Sequence, residues 1–273
     1  MMGGKTRLVC LLGKPARHSL SPRMHNAGYG ALGLDFVYLA FEPKDLEKAV
    51  DGLKELEAAG FNVTMPFKSQ ILKHLDSIDP IAKKIGAVNT VVNRNGKLKG
   101  YNTDGPGAIA AIKKVTEIKG KRVLLIGAGG AGRAIGFYLK RSGAKTTIAD
   151  RTHFKAEKLA GALRAKNIGI EKIDNLADFD IIINASPSGM HPNTGETPLS
   201  PQLLESRHIV FDIVYDPPET KFLSEAKAKG CVTINGLEML LGQGFEGFRL
   251  FTGRDAPRNA MEKAVTEAFA SKH

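Results

Sequence analysis

The stretch "RVLLIGAGGAGRAIGFYLKRSGAKTTIADRT", Arg122 to Thr152, restricts what this chain can become more than any other. An apolar run of strand length leads into Gly127, Gly129 and Gly132 at the spacing G-x-G-x-x-G, and a helix-forming segment follows at once. A second strand-like run then closes on Asp150. Gly127 suits a tight turn, Gly129 lets the backbone approach a pyrophosphate, and Gly132 lets helix and strand pack closely. The helix N-terminus offers unpaired N–H groups to phosphates. A glycine-rich turn can also exist for packing alone. Here the strand, the helix and the acidic residue downstream agree, and the segment reads as a dinucleotide-binding unit.

Further strand-like runs follow: "DIIINAS", "HIVFDIV" and "CVTING", several of them separated by helical segments. Short apolar strands between amphipathic helices predict a parallel sheet covered on both faces. The first hundred residues alternate as well. "TRLVCLL", "DFVYLAF" and "FNVTM" are strand-like, and "AVNTVVNRNGKLKGYNTD" holds two strands around Asn95-Gly96, a hairpin signal. "SPRMHNAGYGALG" reads as a helix with Ser21 as N-cap, and "PKDLEKAVDGLKELEAAG" as an amphipathic helix closed by Gly60. From about Gly236 the chain is helical to its end. The fold class expected is α/β: an N-terminal α/β substrate domain, 1–104, completed by C-terminal helices 237–273, and a Rossmann-like parallel-sheet dinucleotide-binding domain, 105–236.

Composition narrows the partners. A formal net charge of +11 favours anions, yet the basic residues are dispersed, no aromatic platform accompanies them, and tryptophan is absent. Small anionic ligands are expected rather than nucleic acid. No stretch approaches the length of a membrane span. The apolar run after Lys5 and Arg7 ends at Lys14 without a cleavage-site pattern and reads as a first strand. Cys10 and Cys231 sit in apolar runs without a Cys or His partner at ligand spacing, so reduced thiols, a cytoplasmic protein and no metal are expected.

The stretch "FNVTMPFK" alternates Phe61, Val63 and Met65 with Asn62 and Thr64, the period of a half-buried strand, and carries Lys68 just past its end. Such a lysine is either a solvated side chain or a charge held over a ligand. "HSLSPRMHN" offers the hydroxyls of Ser19 and Ser21 beside a helix N-terminus, a seat for a carboxylate as well as a cap. "GAVNT" and "GYNTDGPG" add Asn89, Asn102, Thr103 and Asp104. Each is an ordinary residue for a strand end, and Asp104 an ordinary helix cap. All fall near strand ends or the loops that follow, and the carboxyl ends of strands are where ligands sit in open α/β sheets.

Taken together, "HSLSPRMHN", "NVTMPFK", "GAVNT", "NTDGPG", "GAGGAGR", "NASPSGM", "DIVYDPPET" and "NGLEMLLGQG" resemble the shikimate dehydrogenases in order and spacing from about Cys10 to Gly244. The resemblance implies NADPH-linked reduction of 3-dehydroshikimate to shikimate in aromatic amino acid biosynthesis. It implies that Ser19 and Ser21 hold the substrate carboxylate, that Thr64, Asn89 and Gln243 bond the ring hydroxyls, and that Lys68 and Asp104 form the catalytic pair. Gly127, Ala128, Gly129, Gly130, Ala131 and Arg133 would surround the coenzyme phosphates, with Asn184, Ala185 and Ser186 also on the coenzyme. Tyr215, Gly236 and Met239 would line the place where nicotinamide meets substrate. A homodimer is expected, with a monomer as the alternative.

Where NADP-using members read Asn-Arg-Thr, this chain reads Asp150-Arg151-Thr152. Arg151 and Thr152 suit a 2′-phosphate, whereas a carboxylate suits the free 2′-hydroxyl of NAD. NADP is expected, by a narrowed margin, with NAD as the alternative. The rivals are a quinate/shikimate dehydrogenase using NAD and a non-catalytic nicotinamide-sensing regulator. The regulator would require a damaged Lys68–Asp104 pair or an added DNA-binding segment.

Overall fold

The computed structural model describes residues 2–270, which form two compact units: 2–103 with 243–270, and 104–242. The first unit begins β1 (Arg7–Leu12), α1 (Ser21–Ala31), β2 (Phe36–Phe41), α2 (Leu46–Glu55) and β3 (Gly60–Val63). It continues through β4 (Ser77–Ile78), α3 (Pro80–Ile85), β5 (Thr90–Arg94) and β6 (Lys97–Tyr101). Its sheet has the order β2-β1-β3-β5-β6-β4. The pairs β1–β2 and β1–β3 are parallel, while β5 is antiparallel to β3 and β6. This reversal matters. With Asn62 opposite Thr90, the start of β5 lies beside the carboxyl end of β3, and Thr90 opposite Tyr101 brings the end of β6 to the same edge.

Asn95 and Gly96 both have positive φ, 52° and 78°, which is the left-handed turn that matches strand twist. The Asn95-Gly96 hairpin is therefore as the sequence predicts. Other expectations change. Leu20, not Ser21, holds the cap position of α1, and no side chain caps it; Ser21 is the first helical residue, and its N–H donates to Ser19 Oγ at 3.2 Å. Helix α2 ends at Glu55, and Gly60 opens β3 instead of closing the helix. All four residues of β3 are buried, because the strand is central and covered on both faces. Asn62 is inside.

The second unit contains α4 (Asp104–Lys113), β7 (Arg122–Ile126), α5 (Gly130–Arg141), β8 (Lys145–Asp150), α6 (His153–Leu163) and β9 (Lys166–Gly169). β10 (Ile181–Asn184), β11 (Ile209–Asp212), α7 (Lys221–Ala228) and β12 (Val232–Ile234) complete its sheet. Helix α8 (Gly236–Thr252) runs from this unit into the first, and α9 (Arg258–Ala270) follows a break at Gly253. The strand order is β12-β11-β10-β7-β8-β9, all parallel. β9 is a strand that the pattern of apolar runs does not reveal, since "KNIG" is nearly polar.

Alternation explains the two cores of this unit. Val123, Leu125, Ile181 and Ile183 face one layer with Ile135, Leu139 and Leu159. Leu124, Ile126 and Ile182 face the other with Val210, Phe222 and Leu223. In the first unit, Cys10, Leu12, Phe61 and Val63 pack with Val50 and Leu53 of α2. No helix among the described residues is long and apolar enough to cross a membrane.

Candidate functional site

In the second unit the strand order reverses between β7 and β10, and ligands bind at the carboxyl ends of strands at such a point. Gly127 follows β7 with φ 109°, and a Cβ there would lie 2.7 Å from the Ala185 carbonyl, which only glycine avoids. A Cβ on Gly132 would run into the Gly127 carbonyl. Gly129 and Gly130 differ. A Cβ at either meets nothing within 4 Å, and no side chain caps the N-terminus of α5. That leaves open room beside a twelve-residue helix's first N–H groups, the form that receives a pyrophosphate.

Around this loop stand the other expected coenzyme residues. Ala128 is buried; Ala131 and Arg133 lie in the first turn of α5, half-buried. Asp150 ends β8, and its two oxygens accept from the N–H of Ala128 and of Thr152, both at 2.7 Å. The carboxylate thus ties the glycine loop to the next turn, while Arg151 and Thr152 are exposed. Asn184 is fully buried at the end of β10. Its amide donates to Ser188 O (3.1 Å) and Asp212 Oδ1 (3.0 Å) and accepts from Ser186 N–H (3.0 Å) and Ser186 Oγ (2.6 Å). Asp212 also accepts from Val214 N–H and Thr220 Oγ1, and burial pushes its carboxyl up to about 6 despite these donors. Asp212 and Thr220 lie within "DIVYDPPET", but only their place beside Asn184 shows what they do.

Tyr215 lies in the loop after β11, half-buried. Gly236 is packed against the backbone of Ile213 and Val214, with its N–H donating to Val214 O at 3.2 Å. Met239 belongs to the apolar core of this unit. Asp104 is buried as the first residue of α4.

In the first unit, one edge of the sheet gathers Ser19 and Ser21 after β1, Thr64 and Lys68 after β3, and Asn89 before β5. Thr64 N–H donates to Leu12 O and Lys68 O accepts from Val88 N–H, both at 2.9 Å, so the backbone fixes both residues to the sheet's end. Asn89 is buried; its Nδ2 donates to Thr103 Oγ1 at 3.0 Å and its Oδ1 accepts from Thr103 N–H at 2.8 Å. Asn102, also buried, donates to Ala87 O. Lys68 is half-buried, and Gln243, on α8, is half-buried as well. His25, Tyr38 and Asn62, behind this edge, are polar groups in the interior that apolar patterning does not flag. Among the described residues no group of His, Cys, Asp and Glu could hold a metal ion.

The sheet order, the glycine turn and the open N-terminus of α5 define a Rossmann-type α/β protein of the dinucleotide-binding class. Three family models match the chain: a shikimate dehydrogenase substrate-binding domain over residues 11–91, shikimate/quinate 5-dehydrogenase over 109–215, and a shikimate 5′-dehydrogenase C-terminal domain over 236–266. The shikimate dehydrogenase (NADP(+)) of Moorella thermoacetica is 45% identical over 97% of this chain and 95% of its own. A crystal structure of a shikimate dehydrogenase in complex with NADP+ superposes with a TM-score of 0.94 at 42% identity, covering 98% of this chain and 97% of that one. The Listeria monocytogenes shikimate 5-dehydrogenase, solved with shikimate and NAD, gives 0.90 at 40% identity, covering 96% and 97%. The chain belongs to the shikimate dehydrogenase family.

Proposed function

We propose that the protein is an NADP-dependent shikimate dehydrogenase, interconverting 3-dehydroshikimate and shikimate in aromatic amino acid biosynthesis. The observation that carries this reading is kinship along both units with proteins named for that activity, not along the dinucleotide fold alone. Ser19 and Ser21 receive the substrate carboxylate, and Thr64, Asn89 and Gln243 receive the ring hydroxyls. Gly129, Gly130 and the first N–H groups of α5 receive the coenzyme pyrophosphate, and Arg151 and Thr152 the 2′-phosphate. Bound nicotinamide supplies the hydride.

Reduction places negative charge on the former carbonyl oxygen. Lys68 stabilises that charge, and Lys68 with Asp104 handles the proton that the oxygen gains. Hydride transfer therefore requires the substrate seat and the coenzyme seat to be filled together. A cytoplasmic homodimer completes the reading, and sedimentation separates it from a monomer.

The test is an absorbance assay offering shikimate and quinate with NADP+ and NAD+ in all four pairings. Shikimate with NADP+ should give the highest kcat/KM. A higher value for quinate, or for NAD+, would overturn the corresponding half of the proposal.

A further inference from the structure

The first unit carries a buried polar chain that no assigned role uses. Tyr38 is the only fully buried side chain of edge strand β2. Its backbone is held on both sides by Asn26 of α1, which donates to Tyr38 O at 2.9 Å and accepts from Tyr38 N–H at 2.7 Å. Its ring stacks on His25 with centroids 4.5 Å apart and planes 10° apart. Its hydroxyl is bonded to Asn62 Oδ1 at 2.7 Å. From Asn62 the chain continues through Nδ2 to Asn89 O at 3.0 Å and to Thr90 Oγ1 at 2.9 Å. Thr90 Oγ1 then donates to Asn89 Oδ1 at 3.1 Å.

Two backbone groups fix how the two amides are turned. A backbone carbonyl only accepts, so Asn89 O fixes the Asn62 amide with its NH2 toward Asn89 and its oxygen toward Tyr38. Tyr38 must then donate to Asn62. At the far end, the Thr103 N–H only donates, so the Asn89 amide oxygen faces it. Both amides are thus fixed in one orientation, while the Thr90 and Thr103 hydroxyls, 3.2 Å apart, can exchange donor and acceptor roles, and a buried network whose members are all satisfied is rigid.

We propose that Tyr38 and Asn62 are positioning residues for substrate recognition, which hold Asn89 in one orientation so that a rigid template meets the ring hydroxyls. The proposal rests on the reading that Asn89 receives shikimate. It explains why the motif "HSLSPRMHN" carries His25 and Asn26, which have no ligand of their own here. They hold Tyr38.

The experiment is steady-state kinetics of Tyr38→Phe, a change that keeps the ring and its stack. Loss of one hydrogen bond at a recognition group should raise the shikimate KM roughly three- to tenfold, with kcat within about twofold. The NADP+ KM should stay as it is. In a double-mutant cycle with Asn62→Leu the two KM effects should be clearly less than additive. Asn62→Leu should move the shikimate KM in the same direction. An unchanged shikimate KM in Tyr38→Phe, with only a lower melting temperature, would reduce Tyr38 to core packing and overturn the proposal. So would a lowered shikimate KM. Wild-type enzyme inactive on shikimate would remove the functional reading and this inference with it, whereas an active wild type with a silent Tyr38→Phe removes this inference alone.

Discussion

In the function proposed here, the two sheets solve recognition in opposite ways. At the sheet edge of the first unit, the groups offered are side chains: hydroxyls, an amide and an ammonium, held from behind by Tyr38, Asn62 and Thr90 in the interior. In the second unit, the groups offered at the switch point are mainly backbone N–H, and the side chains near it, Asp150 and Asn184, are committed to bonds with the protein's own loops. A sugar acid distinguished by the placement of its hydroxyls calls for side chains that differ from one position to the next. A pyrophosphate, the same in every dinucleotide, calls only for a bare turn and a helix end. The lesson is that the first unit should be damaged by removing atoms and the second by adding them.

The largest expected effect tests removal. Lys68→Ala should lower kcat by about two to four orders of magnitude, because its charge matters most as the oxygen becomes an alkoxide. The shikimate KM should move far less. Near-normal turnover would remove Lys68 from the chemistry. Addition is tested next. Gly132→Ala drives a methyl into the Gly127 carbonyl, where both partners are backbone and cannot step aside, so coenzyme KM should rise by about tenfold or more while the melting temperature falls. Gly129→Ala meets no protein atom, so it should spare the melting temperature and still weaken coenzyme binding measured by calorimetry. Equal loss of stability in both variants would break the comparison.

Coenzyme choice should respond on a smaller scale. Asp150 is engaged by two backbone donors, so its charge acts on a 2′-phosphate from a committed position rather than by direct contact. Arg151→Ala should narrow the NADP+ over NAD+ ratio of kcat/KM by about tenfold or less, and Asp150→Asn should widen it by roughly two- to fivefold. An Arg151→Ala ratio equal to wild type would place phosphate recognition elsewhere.

The smallest effect concerns pH. Burial pulls the His25 imidazole down from 6.5 to about 3, so the folded protein keeps it neutral while the unfolded chain takes up a proton. Stability is therefore intact above pH 6.5 and is lost as pH falls from there toward 3. His25→Phe should shift the acid-unfolding midpoint to lower pH by circular dichroism. A midpoint unmoved by the substitution would assign acid unfolding to other groups.

What the sequence discloses follows the same division. The parallel sheet of the second unit is legible because its strands are apolar on both faces and its glycines stand at fixed spacing. β9 escapes because its residues are polar and pair on one side only. In the first unit, the hairpin is announced by Asn95-Gly96. Asn62 misleads, since a buried asparagine in a central strand has the same alternating pattern as one facing water. Ser21 misleads in a related way. Serine before proline is the usual mark of a cap, and here Leu20 holds the cap position and Ser21 is the first helical residue. Local rules read the residues that serve local structure, and the Tyr38 network is not local.

The antiparallel course of β5 ties specificity to a distant turn. In the proposed reading Asn89 meets the substrate, and its phase is carried by β5, which pairs with β3 through Asn62 opposite Thr90 and with β6 through Thr90 opposite Tyr101 and Arg94 opposite Lys97. That phase is set at the far end of the ladder, by two residues with positive φ. Side chains alternate faces along a strand, so a slip of one residue at Asn95-Gly96 would turn the whole hairpin inside out and present Asn89 to the wrong side. The choice of substrate is in this sense inherited from a turn that never meets it.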